Sequence, residues 1–83
     1  MKDYSQTIVV NGGKVYELVN KSCCKLEEDG FTPQLVLLTK GDYAWFNMYA
    51  KFLYGENADI KVFEEVFGVV IYRVSHIKES VVY

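Results

Sequence analysis

Leu35-Val36-Leu37-Leu38, followed at once by Thr39-Lys40-Gly41-Asp42-Tyr43-Ala44-Trp45-Phe46 and on to Gly55, is the stretch that decides the fold. The four apolar residues make a short unbroken run after Thr32-Pro33-Gln34. A run of that length between turn signals predicts a strand buried on both faces. Thr39 then reads as a helix start. Its hydroxyl can accept from a free amide of the first turn, and Asp42, three residues on, sits at the positive end of the helix dipole. The helix is expected over 42–54, with Gly55 as its stop.

On the N-terminal side, Thr7 to Val10 is β-branched and precedes Asn11-Gly12-Gly13, which predicts a short strand and a turn. Two readings of the next residues stand open. As a strand, Lys14-Val15-Tyr16-Glu17-Leu18 completes a hairpin across Asn-Gly. As a helix, Val15, Leu18, Val19, Ser22, Cys23 and Leu26 share one face, while Lys14, Glu17, Lys21, Lys25 and Glu28 share the other. The helical pattern accounts for more residues and ends at Gly30, a C-terminal cap. Beyond Gly55, residues 56–59 predict a polar loop. Ile60-Lys61-Val62-Phe63 reads as a short strand or an irregular arm. Val66 to Val74 gives the strongest strand signal, with Gly68 as a bulge or a turn into it. Residues 75–80 turn the chain, and Val81-Val82-Tyr83 reads as a last strand.

The expected architecture is α+β, a mixed α/β fold of one domain over residues 1–83. Its order is β-α-β-α-β(-β), in two layers, with two helices on one face of a small mixed sheet. A helix between consecutive strands favours one parallel pairing with a right-handed crossover. The late strands can pair antiparallel.

Composition bounds function loosely. Of 83 residues, 51% are hydrophobic and 24% charged, as in ordinary globular domains, and the net charge is −2. A charge so small, with no concentrated basic face, speaks against nucleic-acid binding. The polar opening, Met1-Lys2-Asp3-Tyr4-Ser5-Gln6, lacks the apolar core of a signal peptide. No stretch approaches the ~18 apolar residues of a membrane span. Cys23 and Cys24 are neighbours and cannot staple distant segments. The expected location is therefore the cytoplasm.

No constellation of catalytic residues is visible. His76 has only Ser75 beside it, and neighbours in an extended segment face opposite ways, so a nucleophile–base pair is not formed. Cys23, Cys24 and one histidine fall short of a zinc set, so no metal is expected; Cys23 reads as a small core hydrophobe and Cys24 as its exposed neighbour. Asn11-Gly12-Gly13-Lys14 could offer amides to an anion, but Val15 stands where a phosphate loop has Ser or Thr. Glu27, Glu28, Asp29, Glu64 and Glu65 read as solvated carboxylates. No cofactor is implied.

The anomaly is aromatic. The chain holds one Trp, seven Tyr and five Phe, and Tyr43, Trp45, Phe46, Tyr49, Phe52 and Tyr54 crowd into the second expected helix. Phe46, Tyr49, Ala50 and Leu53 form one stripe; Trp45, Met48 and Phe52 form another. A helix on a small sheet needs one apolar stripe. The second needs a cover, either more of the same chain or a partner. Tyr43, Trp45, Met48, Tyr49 and Phe52 are the expected interaction surface.

From Gln34 onward the order Leu35-Val36-Leu37-Leu38, Asp42-Tyr43-Ala44, then Val66-Phe67-Gly68-Val69-Val70-Ile71 resembles the axial domain of HK97-type phage major capsid proteins. In that family an apolar strand leads to an Asn-Pro-x-Asp-Trp-Ala-like helix start, and a Gly-x-Pro-Val strand follows. Here Thr39-Lys40 takes the place of Asn-Pro, and Val69-Val70 that of x-Pro. The spine helix, extended loop and N-terminal arm of a shell subunit are missing. The resemblance implies a phage or prophage origin, a host-cytoplasmic location and no catalytic residues. Together these readings point to a non-enzymatic protein working through protein–protein contact, as a homodimer, on a virion component or a host protein. The alternative is a small anion- or nucleotide-binding domain.

Overall fold

The computed structural model describes residues 5–83, so the expectation for the Met1–Tyr4 opening lies outside the described residues. The elements run α1 (Ser5–Glu28), β1 (Leu35–Leu38), α2 (Lys40–Tyr54), α3 (Lys61–Phe67), β2 (Val70–Arg73) and β3 (Val81–Val82). The α+β class and the mixed sheet stand. Two elements differ from expectation.

First, no strand forms at Thr7–Val10. A single 24-residue helix runs through it and through Asn11-Gly12-Gly13. The reason is packing. Gly12 is buried where α1 crosses α2, and a Cβ there would lie 2.5 Å from the Tyr49 Cβ and 3.0 Å from the Trp45 carbonyl oxygen. Only a residue without a side chain lets the two helices approach so closely. Asn11, a turn former in isolation, donates its side-chain amide to the Thr7 carbonyl one turn back and stays helical. The hairpin reading of 14–18 falls with the strand. Val15, Val19 and Cys23 form the buried face together with Gly12, whereas Leu18, expected on that face, is exposed. Gly30 ends α1 at a φ of 87°. The Gly30 and Phe31 amides donate to the Glu27 and Leu26 carbonyls at 3.0 and 2.8 Å, the two bonds of a Schellman cap.

Second, residues 61–67 are a helix, not a strand or an arm. Ile60, Phe63 and Phe67 fall at helical spacing, and that spacing prevails over the β-branched Val62 and Val66 because it brings Phe63 into the core. Asp59 Oδ1 accepts from the Lys61 amide, and Asn47 Oδ1 of α2 accepts from the Ile60 amide, so the free N-terminal donors are satisfied. Gly68, at φ 66° and ψ 37°, closes α3 in the left-handed region. It is a helix cap turning into β2 and not a bulge, so Val66 and Phe67 belong to α3 and the strand shrinks to Val70–Arg73.

The helix after β1 takes the expected cap but starts two residues before the expected Asp42, at Lys40. Thr39 is the N-cap, and its hydroxyl accepts from the Asp42 amide at 3.2 Å. Gly55 is the C-cap.

The strand order is β2-β1-β3, with β1 parallel to β2 and antiparallel to β3. All three helices share one core with the sheet, and that core takes its sheet residues from one face: Val36, Leu38 and Ile71, with Val82 packed against them. The two-layer arrangement with helices on one face therefore stands. Burial of β1 on both faces does not, because Leu35 and Leu37, on the opposite face, are only half-buried. A sheet with helices on one side covers only alternate residues of each strand.

Candidate interaction surface

The expected surface on α2 divides. Phe46 and Ala50 are buried in the core, and Tyr43, Trp45 and Tyr49 are partly buried against it. Tyr49 lies under Gly12 of α1. Met48 and Phe52 remain exposed, at 40% and 48%. They line a shallow groove of about 230 Å³ with Ile8 of α1 and Lys51. The Lys51 ammonium turns away from any partner role: it donates to the Glu56 and Ala58 carbonyls at 3.1 and 2.9 Å and fixes the loop into α3. The structure thus brings three of the five residues against their own core and leaves two outside.

The aromatic excess is mostly internal. Phe46 and Phe63 stack with centroids 4.1 Å apart. Tyr16 of α1 meets Phe46, Tyr49, Phe63 and Phe67 at centroid distances of 5.2 to 6.4 Å, in tilted or edge-on geometry. Such pairs add about 0.5–1.5 kcal/mol each beyond burial. Three helices converge on these rings. Sequence reading misses the cluster because Phe63 and Phe67 lie in segments with local strand character; their spacing of four residues is the available signal.

The candidates for chemistry stay apart. His76 is exposed in the β2–β3 connection. Cys23 is buried, and burial first, then the charges of Glu27 and Cys24, push its thiol above the usual range. Cys24 is exposed. Among the described residues no three His, Cys, Asp or Glu gather where a metal could sit. One hydroxyl does meet a carboxylate: Ser80 donates to Asp42 Oδ2 at 2.5 Å and accepts from the Thr39 amide at 3.1 Å. Both contacts tie the start of β3 to the N-terminus of α2, so the pair acts as a clasp. Gly12 and Gly13 lie inside α1, where their amides serve the helix. Gly41 sits in the first turn of α2, where the Asp42 carboxylate opposes an anion.

The surface that sequence reading misses is the far face of the sheet. Strand register sets two rows across it. Val70 of β2 pairs with Leu35, and Tyr72 with Leu37. Val81 of β3 also pairs with Leu37. Tyr83 joins Leu35 by two backbone bonds, at 3.1 and 2.8 Å. Paired residues point to the same face. The rows are therefore Val70-Leu35-Tyr83 and Tyr72-Leu37-Val81, six side chains without a charge. Val70, Tyr72, Val81 and Tyr83 all count among the exposed large hydrophobics. No helix among the described residues is long and apolar enough to cross a membrane. No protein-family model, no curated protein and no solved structure matches the chain.

Proposed function

We propose that this chain works by protein–protein contact, without chemistry of its own, and that its first partner is a second copy of itself. The observation that carries the reading is the uncharged outer face of the sheet. A two-layer domain that leaves one face of its sheet apolar keeps in water a surface that association would cover. The convergent polar groups, Asp42, Ser80 and Thr39, are spent on a clasp between elements, which fits a scaffold better than a reaction centre. The phage or prophage setting, with action in the host cytoplasm, rests on the likeness from Gln34 onward to the capsid axial domain.

A second contact region is favoured by Met48 and Phe52, exposed beside Ile8. Exposed Met and aromatic side chains suit a foreign protein partner, a virion component or a host target. The test of self-association is the solution mass. Light scattering behind size exclusion is expected to show a mass that rises with concentration from 9.6 kDa towards twice that value. A strict monomer at high micromolar concentration contradicts it.

A further inference from the structure

We infer that the cleft between α1 and the first turn of α2 binds a small zwitterion, an α-amino acid with an apolar side chain, its ammonium on Asp42 and its carboxylate on Lys14. The inference stands apart from self-association and uses no part of the sheet.

The cleft follows from the helix crossing. α1 and α2 press together at Gly12, beside Tyr49 and the Trp45 carbonyl. Towards the start of α2 a cleft of about 280 Å³ opens between them, lined by Asn11, Lys14, Val15 and Leu18 of α1 and by Asp42 and Trp45 of α2. The four α1 positions follow helical spacing and make one stripe; the two α2 positions lie one turn apart. The volume falls just below the ~300–1,000 Å³ of ordinary ligand pockets, which limits an occupant to about the size of one amino acid.

Two opposite charges face this space, and neither is spent on the other. Among the described residues the one ion pair joins Lys21 to Glu17, so the Lys14 ammonium and the Asp42 carboxylate stand unpaired. Lys14 is exposed. An exposed pair that formed between the two would hold itself together only weakly, so a ligand carrying both charges displaces little.

The carboxylate is already positioned. Asp42 Oδ2 accepts from the Ser80 hydroxyl, and the Thr39 amide donates to that hydroxyl in turn. Oδ1 has no partner among the described residues and can accept from an ammonium without undoing the clasp. Asn11 donates its side-chain amide to the Thr7 carbonyl and keeps its oxygen for a second bond to the same ammonium. Val15, Leu18 and Trp45 supply an apolar wall for the ligand's side chain. A plain anion meets the charge of Asp42, and a plain amine that of Lys14. A molecule with both charges satisfies the two.

The experiment records amide nitrogen–proton spectra of the full chain while L-leucine is added, and again with 3-methylbutylamine and with 4-methylpentanoate, the same skeleton bearing one charge each. Leucine is expected to shift residues 11, 14, 15, 18, 42 and 45 along one saturating curve below about 10 mM, and each analogue to bind at least about tenfold more weakly. This comparison needs no variant. Lys14→Gln, at an exposed position outside the core, is expected to keep the melting transition and to bring leucine down to the level of the amine. No saturable shift at these residues, an affinity for the amine equal to that for leucine, or a folded Lys14→Gln that binds leucine as well as the wild type overturns the site.

Discussion

Gly12 and Gly13 are adjacent, both helical and chemically identical, yet they carry opposite instructions. Gly12 holds α1 against the backbone of Trp45 and the Cβ of Tyr49. Gly13 faces open space, and a methyl group placed there would meet nothing within 4 Å. Gly12→Ala must push two helices apart, and overpacking of that kind costs about 1–3 kcal/mol. Gly13→Ala relieves a helix interior of its least favourable ordinary residue, a gain of about 0.5–1 kcal/mol. Urea unfolding of both variants is expected to move the midpoint down for the first and up for the second; equal shifts of one sign contradict the crossing. Sequence could not separate the two. Asn-Gly-Gly is a turn signal in local chemistry, and its helical state depends on a contact with Trp45 and Tyr49, far along the chain.

At the scale of elements, the strand and helix starting at Leu35 and Thr39 were legible because their determinants are local: a run of four apolar residues, a hydroxyl and a carboxylate three apart, a closing glycine. β3 was legible for the same reason. α3 was not. Val62, Val66 and Phe67 favour a strand locally, and helix wins because Phe63 must stack on Phe46, a tertiary demand. The same helix supplies Glu64, whose Oε2 accepts from the Ile71 amide on the outer edge of β2 at 2.8 Å. Removing that carboxylate leaves a part-buried amide without its acceptor, at a cost of about 1–3 kcal/mol. Glu64→Ala is expected to lose stability by that amount in chemical unfolding and to aggregate more readily on heating, while Glu64→Gln, which keeps an acceptor oxygen, loses less. An alanine variant as stable and as soluble as the wild type would show that the edge needs no guard.

For the whole molecule, the α+β class and the one-sided helix layer followed from the order of elements. The location of the unsatisfied apolar surface did not. The pattern of α2 has two stripes, and two stripes suggest an exposed one. That pattern says nothing of what a long α1 can cover: its glycine crossing lets it press on Trp45 and Tyr49, and its Tyr16 fills the space between α2 and α3. Met48 and Phe52 stay outside, and so do Leu53, expected in the stripe with Phe46, and Tyr54. A further open surface arose elsewhere, from a sheet whose strands carry apolar residues on both faces while only one face receives helices. Leu35, Leu37, Val70, Tyr72 and Val81 alternate with Val36, Leu38, Ile71 and Val82. A continuous apolar run announces burial of both faces without saying which face the helices leave open.

A dilution series followed residue by residue through amide nitrogen–proton correlation spectra tests this most directly. As concentration rises, amide shifts are expected to move together along a single binding curve at residues 35, 37, 70, 72, 81 and 83, while those at 8, 48 and 52 stay fixed. Shifts confined to the α2 groove, or spectra unchanged across the whole range, contradict an interface on the open face of the sheet.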